Sequence, residues 1–165
     1  IDHIPETYLL EMALDDIGIK ERHIIQATPW HLVKGSITLF SGETITFPIT
    51  ESKVKEIEFY YFGGAIEFED LKEDKRVLGV DKRLILIRPT EEGHIEEDIT
   101  GREAQVSKLL NVSIDIVRER SQVLNRRDRI GRTGVYLNRR LMLDESFEQV
   151  LKEISDKDSN VRRRG

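Results

Sequence analysis

Residues 102–130 constrain the fold most, because they predict two short helices joined by a tight turn. Their apolar side chains recur at the spacing of helical contacts, namely at Val106, Leu110, Val112, Val117 and Leu124. Ser107 is small enough for the two helices to approach closely there. Asn111 can adopt the left-handed conformation that ends a helix, and Ser113 can cap the helix that follows.

This combination of spacing, caps and apolar positions resembles the helix-turn-helix superfamily. After it, the run GRTGVYLNRRLML has glycines at positions 131 and 134 and then alternating apolar residues, the pattern of a two-stranded wing. The resemblance is therefore to a winged helix, a fold that serves both DNA binding and protein docking. In DNA-binding members the second helix enters the major groove, and a homodimer is expected because one module reads one half-site.

The second helix and the wing supply the candidate residues for binding a partner. Arg118 and Gln122 are the residue types that read guanine and adenine edges, and the arginines near the helix end and in the wing suit phosphates. The candidate set is Ser113, Ile114, Asp115, Arg118, Glu119, Arg120, Gln122, Arg126, Arg127, Arg129, Arg132, Arg139 and Arg140. The carboxylates of Asp115 and Glu119 fit a protein partner better than DNA, so both kinds of ligand stay open.

The balance of acidic and basic residues changes near residue 100, where the helix-turn-helix pattern begins. The net charge is −5, but residues 1–100 carry 21 acidic and 11 basic side chains, whereas residues 101–165 carry 10 acidic and 15 basic ones. A reversal of charge at the boundary of a motif predicts two modules with different surroundings. A basic second module favours nucleic acid, although the reversal could also serve to dock the two modules together.

The first module is predicted to be rich in β-strands. Residues 5–17 have one apolar stripe, at Leu9, Leu10, Ala13, Leu14 and Ile17, and predict a helix. From residue 22 to residue 88 apolar residues alternate with polar ones, with hairpin turns at 41–43 and 62–64 and a continuous apolar run at 84–87. These patterns predict five to seven antiparallel strands in a small barrel or sandwich.

The predicted class is therefore α+β: a small antiparallel β-barrel or sandwich with an N-terminal helix, followed by a winged-helix module. We place the β-rich module at 1–90, an acidic linker at 91–99, the winged helix at 100–155 and a polar tail at 156–165. The last helix of the winged-helix module is predicted to start with Asp144 as its cap and to run to Ile154. The tail is polar and is predicted to be disordered.

A second, looser resemblance covers the two modules together. The run LVKGSITLFSGETITFPITESKVKEIEF, residues 32–59, resembles the sheet segments of archaeal CheF taxis proteins. That resemblance implies a pleckstrin-homology-like β module joined to a C-terminal winged helix that makes protein contacts. It also implies an adaptor that links the response regulator CheY to the archaellum motor.

The residue types that commonly carry catalysis are either scattered along the chain or have a structural explanation. The histidines at 3, 23, 31 and 94 have no partners at metal-ligand spacing, and Glu67, Glu69 and Asp70 fit the solvated face of a strand. Trp30 fits a place in the core of the barrel better than an exposed anchor. No phosphate-binding glycine loop, cysteine or long apolar run is present. The first residues lack the basic and apolar regions of a secretion signal, so we expect none. We therefore expect a cytoplasmic regulatory protein that is not an enzyme, with no cofactor, metal site or membrane span, that binds duplex DNA or, alternatively, a protein.

Overall fold

The computed structural model describes residues 6–131 and 134–164, and the protein is a mixed α+β protein with antiparallel sheets. The chain divides into two compact units, Ile1–Ser52 with Thr133–Gly165 (unit 1) and Lys53–Arg132 (unit 2). Unit 2 is thus inserted into the sequence of unit 1. The predicted α+β class is confirmed, but the predicted barrel is wrong, because neither sheet closes on itself.

Unit 1 contains a four-stranded sheet. Numbered along the chain, its elements are α1 (Thr7–Leu14), a 3₁₀ turn (Asp15–Ile17), β1 (Ile19–Gln26), β2 (Val33–Leu39), β3 (Thr44–Pro48), β7 (Leu137–Arg140), α6 (Phe147–Lys157) and α7 (Ser159–Arg162). The strands lie in the order β3-β2-β1-β7, and all pairs are antiparallel. The early and late parts of the chain therefore share one sheet.

Helices α1, α6 and α7 contribute to the core of unit 1. Phe147 of α6 packs edge-on against Phe47 of β3, with ring centroids 5.3 Å apart. Helix α6 was predicted, but its cap is Ser146, whose side chain accepts the backbone N–H of Gln149. The prediction of a disordered tail is wrong, because α7 buries Val161 completely in the same core.

Two apolar features predicted to be buried are partly or wholly exposed in unit 1. Leu14 of α1 is buried, but Leu9 and Ile17 of the same predicted stripe are 45% and 55% exposed. Trp30 lies between β1 and β2 and is 70% exposed. Its assignment to the core is therefore wrong.

Unit 2 combines a three-stranded sheet with helices. Its elements are α2 (Val54–Gly63), α3 (Phe68–Lys72), β4 (Gly79–Val80), β5 (Ile85–Pro89), β6 (His94–Asp98), α4 (Glu103–Leu110) and α5 (Ile114–Ile130). The strands lie in the order β4-β5-β6, all antiparallel. Residues of both the sheet and the helices contribute to the core. Its buried residues are Phe62, Val80, Leu84, Leu86, Ile99, Val106, Leu110, Val112, Ile116 and Val117.

The alternating residues 57–61, predicted as a strand, lie in α2, and of the predicted strand at 66–68 only Phe68 is helical, as the first residue of α3. Ile57 and Tyr61 are four residues apart, so the same pattern that alternates as a strand also fits a helix. Gly64, assigned above to a hairpin turn, has φ of 95° and ends α2 in the left-handed conformation. Glu67 and Glu69 consequently lie at the start of α3 and not on a strand face.

The predicted acidic linker is also wrong, because it forms a strand. His94–Asp98 pairs with β5 in a hairpin whose turn is closed by a hydrogen bond from the Thr90 N–H to the Gly93 carbonyl. The sequence did not predict this strand, because four of its five side chains are charged or titratable and only Ile95 is apolar. The boundary placed at residue 90 therefore falls inside a β-hairpin of unit 2.

The predicted wing does not form as a hairpin after α5. In residues 134–146, β7 is the one strand that the structure assigns, and it pairs with β1 of unit 1. Leu137 packs against the unit 1 core, whereas Leu143 is fully exposed. Pairing of β7 with β1, with Leu137 partly buried, takes the place of the predicted wing. Among the described helices, none has the length and apolar character needed to cross a membrane.

Candidate nucleic-acid interface

The tight turn between α4 and α5 forms as predicted. Asn111 has φ of 52° and ends α4, and the Ser107 hydroxyl donates to the Val112 carbonyl at 2.6 Å. The Ser113 hydroxyl accepts the N–H of Ile116 at 3.3 Å. These bonds satisfy backbone groups that helix ends otherwise leave unpaired, and they fix the direction in which α5 leaves the turn.

The core of unit 2 determines which side of α5 is accessible. Ile116 and Val117 are 2% and 0% exposed, and Leu124 packs against the same core further along the helix. We call the opposite, exposed side the open face; it consists of Asp115, Arg118, Glu119, Gln122, Arg126 and Arg129. The steps of three and four residues between these side chains place them on one side of a helix. Ile114 is half-buried beside this face.

Four exposed arginines of α5 have no acceptor in the part of the chain that the structure describes. Within the described ranges, the side chains of Arg118, Arg126, Arg127 and Arg129 form no hydrogen bond or ion pair. A guanidinium group stays protonated in proteins and presents its donors in a planar fork. Each of these side chains can therefore bind an external anion without first breaking an internal pair.

Arg120, also in the candidate set, lies away from the open face. It is half-buried, and its guanidinium carbon lies 4.6 Å from the centre of the Phe59 ring of α2. Its prediction as a contact beside the other arginines of the helix end therefore needs correction.

A carboxylate from α2 occupies the start of α5. The backbone N–H and the hydroxyl of Ser113 donate to the two carboxylate oxygens of Glu58, each at 2.7 Å. A negative charge at a helix N-terminus is favourable because the free N–H groups there carry partial positive charge. Ser113 therefore holds an internal acid and not a phosphate. No local pattern marks Glu58, which is 55 residues away in sequence.

We expect that Glu58→Ala lowers the free energy of unfolding of unit 2 by about 1–3 kcal/mol, the range for losing hydrogen bonds to a charged group. Urea denaturation followed by circular dichroism measures the change. Glu92→Ala, which removes an exposed carboxylate in the β5–β6 turn, is the matched control. Equal stabilities of the two variants would show that the Glu58–Ser113 pair contributes nothing.

The arginines assigned to the wing belong to unit 1 and are paired there. Arg139 donates to Glu145 at 2.6 Å, and Arg140 lies 3.9 Å from Glu21. These two side chains pair with carboxylates of their own unit, so each would have to give up an internal ion pair to contact a phosphate. Arg132, the remaining wing candidate, lies outside the described residues.

The pairing of Glu145 predicts a dependence of unit 1 stability on pH. The Met142 N–H and then Arg139 lower the pKa of Glu145 below its ordinary value of 4.5. A carboxyl whose pKa is lower in the folded state stabilises that state above the unfolded pKa, and the contribution is lost as the pH falls through the folded pKa. Glu145→Gln should therefore be less stable than wild type at neutral pH, with the difference vanishing under more acidic conditions.

Urea denaturation at neutral pH and at a pH below the folded pKa of Glu145 tests this expectation. Glu153→Gln, which changes an exposed carboxyl on α6, serves as the control. A stability difference between Glu145→Gln and wild type that stays constant with pH would exclude the proposed role of Glu145.

An open pocket of about 320 Å³ lies beside Arg118. Its lining residues are Gly101, Arg102, Glu103, Ala104, Gln105, Ile114 and Arg118. Arg102 is held there by bonds to Glu97 at 3.0 Å and to Gln105 at 3.0 Å. Arg102 and then Arg88 lower the pKa of Glu97, which keeps the pair charged. The sequence analysis did not select the other residues that line this pocket, because only the start of α4 points to them.

Comparison with known proteins gives no further assignment. No protein family, curated protein or solved structure matches the chain.

Proposed function

We propose that α5 binds duplex DNA through its open face, and that the chain is a cytoplasmic regulatory protein without enzymatic activity. The observation that carries the proposal is that the arginines of this face have no carboxylate partner among the described residues. Several guanidinium groups on one exposed helix face suit the negative charge of a nucleic-acid backbone.

The residue types on the open face suggest how the contacts would divide. Arg118 and Gln122 lie in the first half of α5 and, on a specific site, would contact base edges, which form bidentate hydrogen bonds with these side chains. On a mixed-sequence duplex Arg118 would instead contact a phosphate, like the other arginines of the open face. Arg126 and Arg129 lie near the end of the helix and would contact phosphates. A homodimer on two half-sites would extend this contact.

A protein ligand is the second candidate, because Asp115 and Glu119 put two carboxylates among the arginines of the open face. Such a mixed surface suits a partner with both signs of charge. An adaptor role, which the resemblance to CheF proteins implies, would use this face to bind a response regulator.

Fluorescence anisotropy with a labelled, mixed-sequence DNA duplex tests the DNA proposal. We expect that combining Arg118→Ala, Arg126→Ala and Arg129→Ala weakens binding by at least about tenfold, because three phosphate-neutralising charges are lost. The matched control combines Lys55→Ala, Lys82→Ala and Lys108→Ala, which remove three exposed charges elsewhere in unit 2.

Equal losses in the two triple variants would contradict an interface on α5. If wild type does not bind duplex DNA at all, the DNA proposal fails. A pull-down with and without nuclease, using the arginine triple variant as bait beside wild type, then tests the adaptor candidate.

A further inference from the structure

Arg120 is a half-buried cation with an incomplete set of partners. Its guanidinium carbon lies 4.6 Å from the centre of the Phe59 ring, an attraction that offsets part of its charge. Its Nε atom is buried and has no hydrogen-bond partner among the residues that the structure describes. A buried N–H group without a partner is costly, so an acceptor at this Nε–H would stabilise the side chain.

A second cation lies close by. Burial and then the charge of Arg127 lower the pKa of Arg120, and the neighbouring Glu119 opposes the shift. Arg127 stands seven residues after Arg120, two turns along the same side of α5. In the described part of the chain, neither arginine forms an ion pair with a carboxylate. The positive charge of Arg127 therefore acts on Arg120, and Glu119 offsets it only in part.

We propose that Arg120 and Arg127, beside the Phe59 ring, form a binding site for a phosphate group. A phosphate dianion supplies the charge that the pair lacks and several acceptor oxygens for planar guanidinium donors. The Phe59 ring has no lone pair that could accept a bond from an in-plane N–H group. Its contact with Arg120 therefore leaves the donors of Arg120 available to an anion. The proposal rests on the DNA-binding function only for the source of the phosphate, which is either a nucleic-acid backbone or free inorganic phosphate.

The site is separate from the open face. Arg120 lies on the side of α5 next to α2, as its contact with Phe59 requires, and Arg127, which is exposed, follows it by two helical turns. Arg118 and Arg126 belong to the open face. Binding here would therefore add a contact that flanks the open face. Because the two sites use different arginines, an experiment can contradict the phosphate site without contradicting DNA binding by the open face.

Side-chain NMR of arginine Nε–H groups tests the site directly, because the buried Nε–H of Arg120 is shielded from solvent. The probes are inorganic phosphate, sodium chloride at equal ionic strength, and the mixed-sequence DNA duplex. We expect the Arg120 Nε–H signal to shift and saturate with phosphate or with duplex but not with chloride. Arg127→Gln should abolish the shift, and Lys108→Gln, an exposed charge change on α4, should not.

A response to inorganic phosphate alone shows that free phosphate suffices, whereas a response only to duplex assigns a backbone phosphate. In the second case Arg127→Gln should also reduce the dependence of log K on log salt by about 0.9. An Arg120 signal that ignores both phosphate and duplex, or that shifts equally in Arg127→Gln, overturns the site. Duplex binding that still depends on Arg118, Arg126 and Arg129 would then leave the proposed function standing.

Discussion

Raising the salt concentration from about 50 to about 200 mM should weaken duplex binding by roughly 10²-fold. The expected size follows from the four arginines of α5 that form no ion pair within the described residues, namely Arg118, Arg126, Arg127 and Arg129. Each phosphate contact contributes about −0.9 to the slope of log K against log salt, so four contacts give a slope between about −3 and −4. Arg139 is left out of this count because it is paired with Glu145.

Anisotropy titrations at several salt concentrations measure this slope. The variant that lacks Arg118, Arg126 and Arg129 should retain a slope near −1, because about one contact remains. The variant with three lysines removed elsewhere in unit 2 should keep the wild-type slope. A slope near zero for wild type would mean that α5 neutralises no phosphates, and a protein ligand would become the better candidate.

Local signals in the sequence predicted the α4–α5 pair and α6 well. Asn111 and Ser113 act through backbone bonds within a few residues, so their roles can be read without knowing the rest of the fold. Phe147 and Val150 of α6 likewise follow a helical period that is visible in one segment. The residues of the open face were all predicted, because the core side of α5 follows from the same period.

Features that depend on distant pairing were missed. The partner of β7 is β1, more than a hundred residues earlier, and no local pattern distinguishes this pairing from a hairpin with the next residues. Glu58 reaches Ser113 in the same way, across 55 residues. In α2 the alternation of apolar and polar residues fits a strand and a helix equally, and only the tertiary core selects the helix. The placement of Arg139 in the sheet of unit 1 and the carboxylate of Glu58 at the start of α5 both depend on such long-range contacts.

Phe147→Ala should lower the free energy of unfolding of unit 1 by about 3–5 kcal/mol, the range for emptying the site of a buried aromatic ring. Phe147 is 1% exposed and packs edge-on against Phe47. Gly35 of β2 leaves the space that both rings use, since a Cβ atom there would lie 2.5 Å from Phe47 and 3.1 Å from Phe147. The cavity left by alanine is bounded by a sheet, which limits how far the surroundings can collapse.

Urea denaturation followed by circular dichroism, with hydrogen exchange of the β1 and β2 amides to report on unit 1 alone, measures this loss. Lys152→Ala, an exposed change on α6, should leave stability within about 0.5 kcal/mol of wild type. Because α6 follows the inserted unit 2 and its Phe147 completes a core begun by β1–β3, the loss should appear in amides far from residue 147 in sequence. Loss of protection confined to α6 would contradict a single core shared by the two ends of the chain.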